Sequence, residues 1–203
     1  FSRIDYNYAG KYYFEASIRA DGSSKFGDNY KWGYFPAVSA SWRLKEESFL
    51  KNVNSISDLK LRASYGVTGN QAGISNFAAK GLWSGGAGYP DNSGGDQPGT
   101  TPLQLPNPDL RWERTSQANV GVDFGLFNGR INLTADVYSK YTSNVLLLLP
   151  KAGVTGFDSY NSNAGEISNK GYEIGLNTTN ISNRTFTWTS SLNISGNTNR
   201  IEK

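Results

Sequence analysis

The stretch ANVGVDFGLFNGRINLTADVY, residues 118–138, consists of two runs in which apolar and polar residues alternate, joined at Asn128-Gly129. An Asn-Gly pair between alternating runs favours a type I′ β-hairpin turn, because that turn needs positive φ at both central residues. If Phe127 pairs with Arg130, each apolar residue meets an apolar partner, and a shift of one residue would destroy the match. The apolar pairs of this register are Leu126 with Ile131, Phe124 with Leu133, Val122 with Ala135, and Val120 with Val137. The stretch therefore predicts an antiparallel hairpin with one defined register.

The composition excludes several classes of chemistry. The 203 residues include no cysteine, methionine or histidine. This excludes a disulfide framework, catalysis by thiol or imidazole groups, and zinc sites built from cysteine or histidine. The net charge of +3 comes from 20 basic and 17 acidic residues that are well mixed, which is too balanced for a nucleic-acid-binding protein. We therefore expect no cofactor, no metal site and no nucleic-acid partner.

The same alternation recurs along the chain and predicts an all-β fold. Eight antiparallel strands are expected near residues 1–8, 12–20, 34–44, 59–68, 111–127, 130–150, 166–178 and 185–197. Residues 45–58 are expected to form a turn with one short helix, and the glycine- and proline-rich segment Gly69–Leu110 a long loop. Because methionine is absent and both ends of the chain fall beside predicted strands, we expect a segment of a longer protein.

The predicted connections alternate in length, and this suggests a membrane barrel. Long loops follow the second, fourth and sixth strands, whereas short turns follow the first, fifth and seventh, as in outer-membrane β-barrels. Most of the predicted strands are about 9–13 residues long, whereas strands of globular proteins average roughly 5–6. Aromatic residues that could form an interfacial belt lie towards strand ends, at Tyr6, Tyr8, Tyr12, Tyr34, Trp42 and Trp188. Alternation alone also fits a soluble two-sheet β-sandwich, such as a carbohydrate-binding module, whose core would hold the same apolar face.

Seven short motifs then occur in series. They are DGSSKFG at 21–27, FP leading to SWR at 35–43, LKLRASYGVTGNQ at 59–71, NPDLRWE at 107–113, NVGVDF with its NGR turn at 119–130, YSKYT at 138–142 and NAGEISNKGYE at 163–173. In this order, the motifs resemble the barrel of the SusC/RagA family of TonB-dependent outer-membrane transporters of Bacteroidetes. The resemblance covers nearly the whole chain, except for the middle of the long loop.

The resemblance implies a plugged transmembrane barrel of about 22 strands, of which this antiparallel meander would be a part. Residues 1–203 would form about eight strands, with the plug, the N-terminal region and the C-terminal strands absent. The implied function is import of nutrients, as glycan or peptide oligomers, across the outer membrane. The implied partners are a SusD-like lipoprotein that covers the extracellular mouth, TonB acting through the absent N-terminal region, and the lipid of the outer membrane.

Two groups of residues are candidates for contact with substrate, plug or lid. The polar faces of the strands are expected to line the lumen, with Glu15, Arg19, Arg43, Lys60, Arg62, Asp123, Asp136, Lys140 and Glu173. The long loop is expected to be extracellular, and its ligand-contact candidates are Trp83, Tyr89, Asp91 and Asn92, since aromatic faces stack on sugars and peptide groups. The main alternative for any one of these residues is that it is a solvated residue of the barrel wall and does not contact substrate.

Enzymatic activity is not expected. Asp123 and Asp136 would be diagonal neighbours on one face of the opening hairpin, about 7–8 Å apart, a spacing that inverting glycosidases use. The sequence around these two carboxylates shows no pattern of a substrate cleft and no further residue placed to assist catalysis. The run Asp91–Asp96 resembles a calcium loop, but it departs from the EF-hand spacing and lacks the final glutamate.

Overall fold

The computed structural model describes residues 1–202, and they form an almost entirely β structure. Eight strands make one antiparallel sheet in the order β1-β2-β3-β4-β7-β8-β9-β10, and β5 pairs with β6 in a separate hairpin. The strands of the large sheet are β1 Ser2–Tyr8, β2 Tyr12–Gly22, β3 Trp32–Arg43, β4 Ile56–Asn70, β7 Glu113–Leu126, β8 Ile131–Pro150, β9 Ser159–Ser182 and β10 Thr187–Ile201. The hairpin consists of β5 Leu82–Pro90 and β6 Asp96–Gln104.

The predicted register of the hairpin between β7 and β8 is confirmed. Leu126 pairs with Ile131 and Val120 with Val137, with the apolar pairs between them as expected. Asn128 and Gly129 have φ values of 56° and 79°, as a type I′ turn requires. The left-handed conformation begins one residue earlier than predicted, at Phe127 with φ 52°.

Five of the eight strands of the large sheet are longer than the alternation predicted, and the long loop is not structureless. β9 begins at Ser159, because residues 159–165 pair with the apolar end of β8 rather than forming a loop. The segment Gly69–Leu110 contains the β5–β6 hairpin, which the sequence analysis missed. Its strands contain four glycines and three prolines in 18 residues, and such a composition gives no alternation signal.

The connections lie at two ends of the sheet. The turn end carries residues 9–11, 44–55, 127–130 and 183–186, and the loop end carries 23–31, 71–112 and 151–158. Residues 44–55 hold the 3₁₀ helix Leu44–Glu46 and the α-helix Ser48–Lys51, in place of the predicted turn with one short helix. The asymmetry in length is weaker than predicted, since 44–55 is longer than either 23–31 or 151–158. Among residues 1–202, no helix has the length and apolar character needed to cross a membrane.

The two faces of the sheet differ in chemistry. One row of register partners crosses all eight strands and is apolar throughout: Tyr8, Tyr12, Trp42, Leu61, Val122, Ala135, Ile174 and Ile194. The next row is mostly polar: Asn7, Tyr13, Ser41, Arg62, Gly121, Asp136, Glu173 and Ser195. No second sheet of the described chain covers the apolar face, where Val120 and Val137 are more than half exposed. The alternative of a two-sheet sandwich is therefore wrong.

The buried hydrophobic residues lie at the loop end rather than beneath the strands. Phe26 and Leu110 are fully buried, and the rest of this loop-end cluster consists of Phe35, Ala78, Ala79 and Trp112. The rings of Phe26 and Trp112 lie 4.8 Å apart, and Trp112 also meets Phe35 edge-on at 5.5 Å. The cluster joins three segments that are far apart in sequence, so it fixes the loops to the end of the sheet.

Candidate functional site

The nine candidate lumen-facing residues all share one face of the large sheet, which we call the polar face. The register connects them through direct partners: Arg43 lies opposite Lys60, Lys60 opposite Asp123, and Asp136 opposite Glu173. Glu15, Arg19 and Lys140 occupy the same face on neighbouring strands, opposite Ser39, Phe35 and Gln117 respectively. The alternation therefore identified the members of this face correctly.

An ion cluster lies at the centre of the polar face, where Arg62 of β4 contacts carboxylates from β7 and β8. Its Nε and Nη2 donate to the two oxygens of Asp123 at 2.9 and 3.0 Å, a bidentate geometry. Nη2 also donates to Asp136 Oδ2 at 3.0 Å. About a third of each side chain is exposed, so the cluster is partly shielded from solvent. Arg62 therefore ties three strands together.

Gly121 makes room for this cluster. It pairs with Arg62 on one side and with Asp136 on the other. A Cβ at this position would overlap with Asp136 Oδ1 and would lie 2.8 Å from Arg62 Nη2. The guanidinium and carboxylate groups thus lie against bare backbone, and any larger residue would displace them.

The other charged candidates have different surroundings. Glu15 pairs with Arg3 at 3.1 Å, Arg19 with Asp21 at 2.7 Å, and Arg43 approaches Asp58 at 3.8 Å. Lys60, Lys140 and Glu173 form no ion pair within residues 1–202. A groove of about 510 Å³ lies beside the Arg62 cluster, and it is lined by polar residues that include Asn119, Tyr138, Lys140, Glu173 and Asn197.

The structure does not bring the four long-loop candidates into one site. Trp83 lies opposite Pro102 and Tyr89 opposite Gln97 in the β5–β6 hairpin. Pro102 and Gln97 are an odd number of residues apart on β6, so their partners lie on opposite faces of the hairpin. An irregularity between Gly85 and Ala87 shifts the register, and Gly86 there has φ 89°. Both aromatic rings are largely exposed.

Asp91 organises the turn of this hairpin. Its Oδ1 accepts hydrogen bonds from the backbone N–H groups of Ser93 and Gly95, both at 2.8 Å, and its Oδ2 accepts one from Gln97 at 2.9 Å. These bonds, with that from Gln97 foremost, hold the pKa of Asp91 below its ordinary value. Asn92, the next residue, is exposed in the same turn.

Sequence reasoning missed a set of clamping residues at the loop end. Asn163 Nδ2 donates to the carbonyl oxygens of Arg111 and Asn144, and its Oδ1 accepts from the Arg111 N–H at 2.9 Å. Asn107 Nδ2 donates to the carbonyl of Asn161 at 2.8 Å. The motifs at 107–113 and 163–173 already contained these asparagines. The motifs therefore contained the clamping residues, but their spacing in the sequence did not indicate contacts between positions about 50 residues apart.

The geometry of Asp123 and Asp136 is that of a structural ion pair network. Both carboxylates accept hydrogen bonds from the same guanidinium group, which lies between them. A glycosidase pair would instead flank an open space for a glycosidic bond.

An open antiparallel meander with one apolar face, one charged face and loops fixed at one end is the geometry of a segment of barrel wall. A family model described as TonB dependent receptor-like, beta-barrel matches residues 1–201. The chain belongs to this family. It is a family of TonB-dependent transporters and receptors, not of enzymes. The resemblance to SusC/RagA transporters is also confirmed by individual relatives.

Two of these relatives are proteins with matching sequences. TonB-dependent receptor P39 of Formosa agariphila is 43% identical over 201 residues, which cover 99% of this chain and 19% of that protein. TonB-dependent receptor SusC of Bacteroides thetaiotaomicron is 38% identical over 205 residues, which cover 100% of this chain and 20% of that protein. The chain thus spans about a fifth of the length of these relatives.

A solved structure gives the same result for the fold. The RagAB peptide importer in its closed-closed state matches with a TM-score of 0.88 and 32% identity, over 98% of this chain and 21% of that chain. The antiparallel sheet is therefore a segment of a TonB-dependent receptor barrel.

Proposed function

We propose that this chain forms part of the wall of a TonB-dependent transporter that imports nutrients across the outer membrane of a Gram-negative bacterium. One observation carries the proposal: a single sheet presents an uncovered apolar face and, on its other side, a polar face centred on Arg62. In a bilayer, unpaired backbone groups are costly, so strands cross membranes as closed barrels with apolar residues outward. The likeness to SusC and to the RagAB importer supports this orientation.

In this orientation, the polar face lines the lumen. The Arg62 cluster would hold β4, β7 and β8 together, where neighbouring carboxylates would otherwise repel each other. Lys60, Lys140 and Glu173 would be available to a plug that fills the lumen or to substrate. Most residues of the polar face are expected to contact water or the plug, since the inner surface of such a barrel is polar and charged.

The loop end is proposed to be extracellular and the turn end periplasmic. The β5–β6 hairpin would then extend towards a SusD-like lipoprotein that covers the mouth of the barrel, with Trp83 and Tyr89 offering contacts on opposite faces. TonB is proposed to act through an N-terminal region of the whole protein, outside these 203 residues. The substrate class is an oligosaccharide or a peptide.

Uptake by cells tests this function directly. A strain without the gene would be complemented with the whole gene, and the uptake of fluorescent oligosaccharides and peptides would be measured with and without TonB. We expect uptake of one substrate class to depend on both the gene and TonB. Uptake that persists undiminished after loss of either one would contradict the proposal.

A further inference from the structure

The apolar face contains a groove of about 480 Å³ at the turn end of the sheet. This volume lies within the range of small-ligand sites in proteins, roughly 300–1,000 Å³. Its walls are the aromatic side chains of Tyr6, Phe14, Tyr12 and Trp42, and its floor includes Ala40 and Ala63.

The groove arises from a row of unequal side chains. Phe14 pairs with Ala40, Ala40 with Ala63, and Ala63 with Val120. Two alanines therefore lie side by side between larger apolar residues, and they leave a channel open. Side chains on a sheet stand roughly perpendicular to it, so no residue within the row can lean across to fill the space.

A polar network fixes one wall of the groove. The Tyr12 and Trp42 rings are stacked, with centroids 5.9 Å apart and an interplanar angle of 18°. Tyr12 Oη and Trp42 Nε1 both donate to Glu47 Oε1, at 2.8 and 3.1 Å, while Lys11 Nζ donates to Glu47 Oε2 at 3.0 Å. The hydrogen-bonding groups of both rings are thereby satisfied, so the wall presents only apolar surface and is held in one arrangement before anything binds.

We propose that this groove is a binding site for an acyl chain of a phospholipid in the periplasmic leaflet of the outer membrane. The proposal rests on the membrane orientation given under Proposed function. Within a bilayer, lipid is the molecule in contact with the apolar face of a barrel, and a straight chain of methylene groups matches a narrow apolar channel. Lys11 lies beside the rim and uses one of its three N–H donors on Glu47, which leaves donors for the phosphate of the same lipid.

The test uses the full-length protein purified in detergent and titrated with palmitoyl-oleoyl phosphatidylethanolamine, with bound lipid counted by native mass spectrometry. The double variant Ala40→Leu/Ala63→Leu fills the floor of the groove. We expect it to bind the first lipid roughly tenfold or more weakly, which corresponds to the loss of about two buried methylene groups. The matched control is Ala118→Leu, on the same face but outside the groove, and it should bind as the wild type does.

A second variant covers the case in which the double variant does not fold. Glu47→Ala keeps every groove residue but releases Tyr12 and Trp42, and lipid binding should again weaken. Unchanged binding in either of these variants, or equal weakening in Ala118→Leu, would overturn the proposal. A failure of the membrane orientation itself would look different, because the wild-type protein would then remain in the aqueous fraction of lysed cells.

Discussion

Gly121 lies directly beneath the guanidinium group of Arg62, and the two residues are register partners on β7 and β4. This contact explains why the centre of a strongly patterned hairpin holds a glycine, a residue that weakens strands because it packs no side chain. The absence of a side chain is what lets Arg62 reach both Asp123 and Asp136.

Gly121→Ala should therefore disrupt the Arg62 cluster. The new Cβ would overlap with Asp136 Oδ1, so the carboxylate or the strand must move. Overpacking of this kind destabilises proteins by about 1–3 kcal/mol. The measurement is the unfolding free energy of the full-length barrel in lipid vesicles, by urea titration. Gly175→Ala on the same face is the control, because its nearest neighbour is the end of the Asn193 side chain, at 3.2 Å. Equal stability of the two variants would show that the glycine is not needed for the cluster.

Phe26→Ala should loosen the loop end. Phe26 is fully buried in the loop-end cluster, where its ring lies 4.8 Å from that of Trp112, and truncation to alanine leaves a cavity there. Truncation of a buried phenylalanine costs about 3–5 kcal/mol. We expect faster proteolysis within residues 71–112 of the full-length protein, while Phe77→Ala, at a 60% exposed position, should leave the rate near that of the wild type. Equal rates for both variants would contradict the role assigned to the cluster.

The network around Glu47 should make the turn end sensitive to acid. Hydrogen bonds from Lys11, Tyr12 and Trp42 lower the pKa of Glu47 from 4.5 to about 2. Because the pKa is lower in the folded state, the carboxylate stabilises the fold above the ordinary pKa, and this contribution is lost as the pH falls from about 4.5 to about 2. Glu47→Gln should therefore flatten the pH dependence of stability in that window, measured by tryptophan fluorescence. Glu46→Gln serves as the control and should keep the wild-type dependence.

The β5–β6 hairpin should matter for uptake rather than for folding. Its two strands pair only with each other in the described chain, and Trp83 and Tyr89 are largely exposed. Replacing residues 85–95 with a short turn should leave the barrel folded in the outer membrane but reduce substrate uptake or closure of the lid. Wild-type uptake by the shortened protein would show that the hairpin is not part of the functional site. Separate Trp83→Ala and Tyr89→Ala variants would show which face of the hairpin is used.

Structural features that depend on residues close together along one strand could be predicted from the sequence. Alternation and the Asn128-Gly129 turn were sufficient for the register of β7 and β8 and for the membership of the polar face, since each strand has a period of two residues. They could not predict the β5–β6 hairpin, because its strands are rich in glycine and contain proline.

Contacts between distant segments could not be predicted from the sequence either. The cluster around Phe26 and Trp112 and the hydrogen bonds of Asn163 join residues that are tens of positions apart. Their motifs supported the family resemblance, yet nothing in the spacing indicated which residues would meet. The hydrogen bonds of Arg62 to Asp123 and Asp136 also join residues more than 60 positions apart, so the spacing did not indicate them. The alternation predicted only that Asp123 and Asp136 share one face.

We propose that Val120 faces lipid and that Asn119, its neighbour, faces the lumen. These 203 residues contain no cysteine, so one cysteine introduced here is the only one in this part of the protein. The most direct measurement attaches a spin label at each position in the full-length protein in lipid vesicles and compares its accessibility to oxygen and to a water-soluble nickel chelate. We predict high oxygen and low nickel accessibility at Val120, and the reverse at Asn119. The same accessibility at both positions, or the opposite pattern, would contradict the assignment of this chain to a transmembrane barrel wall.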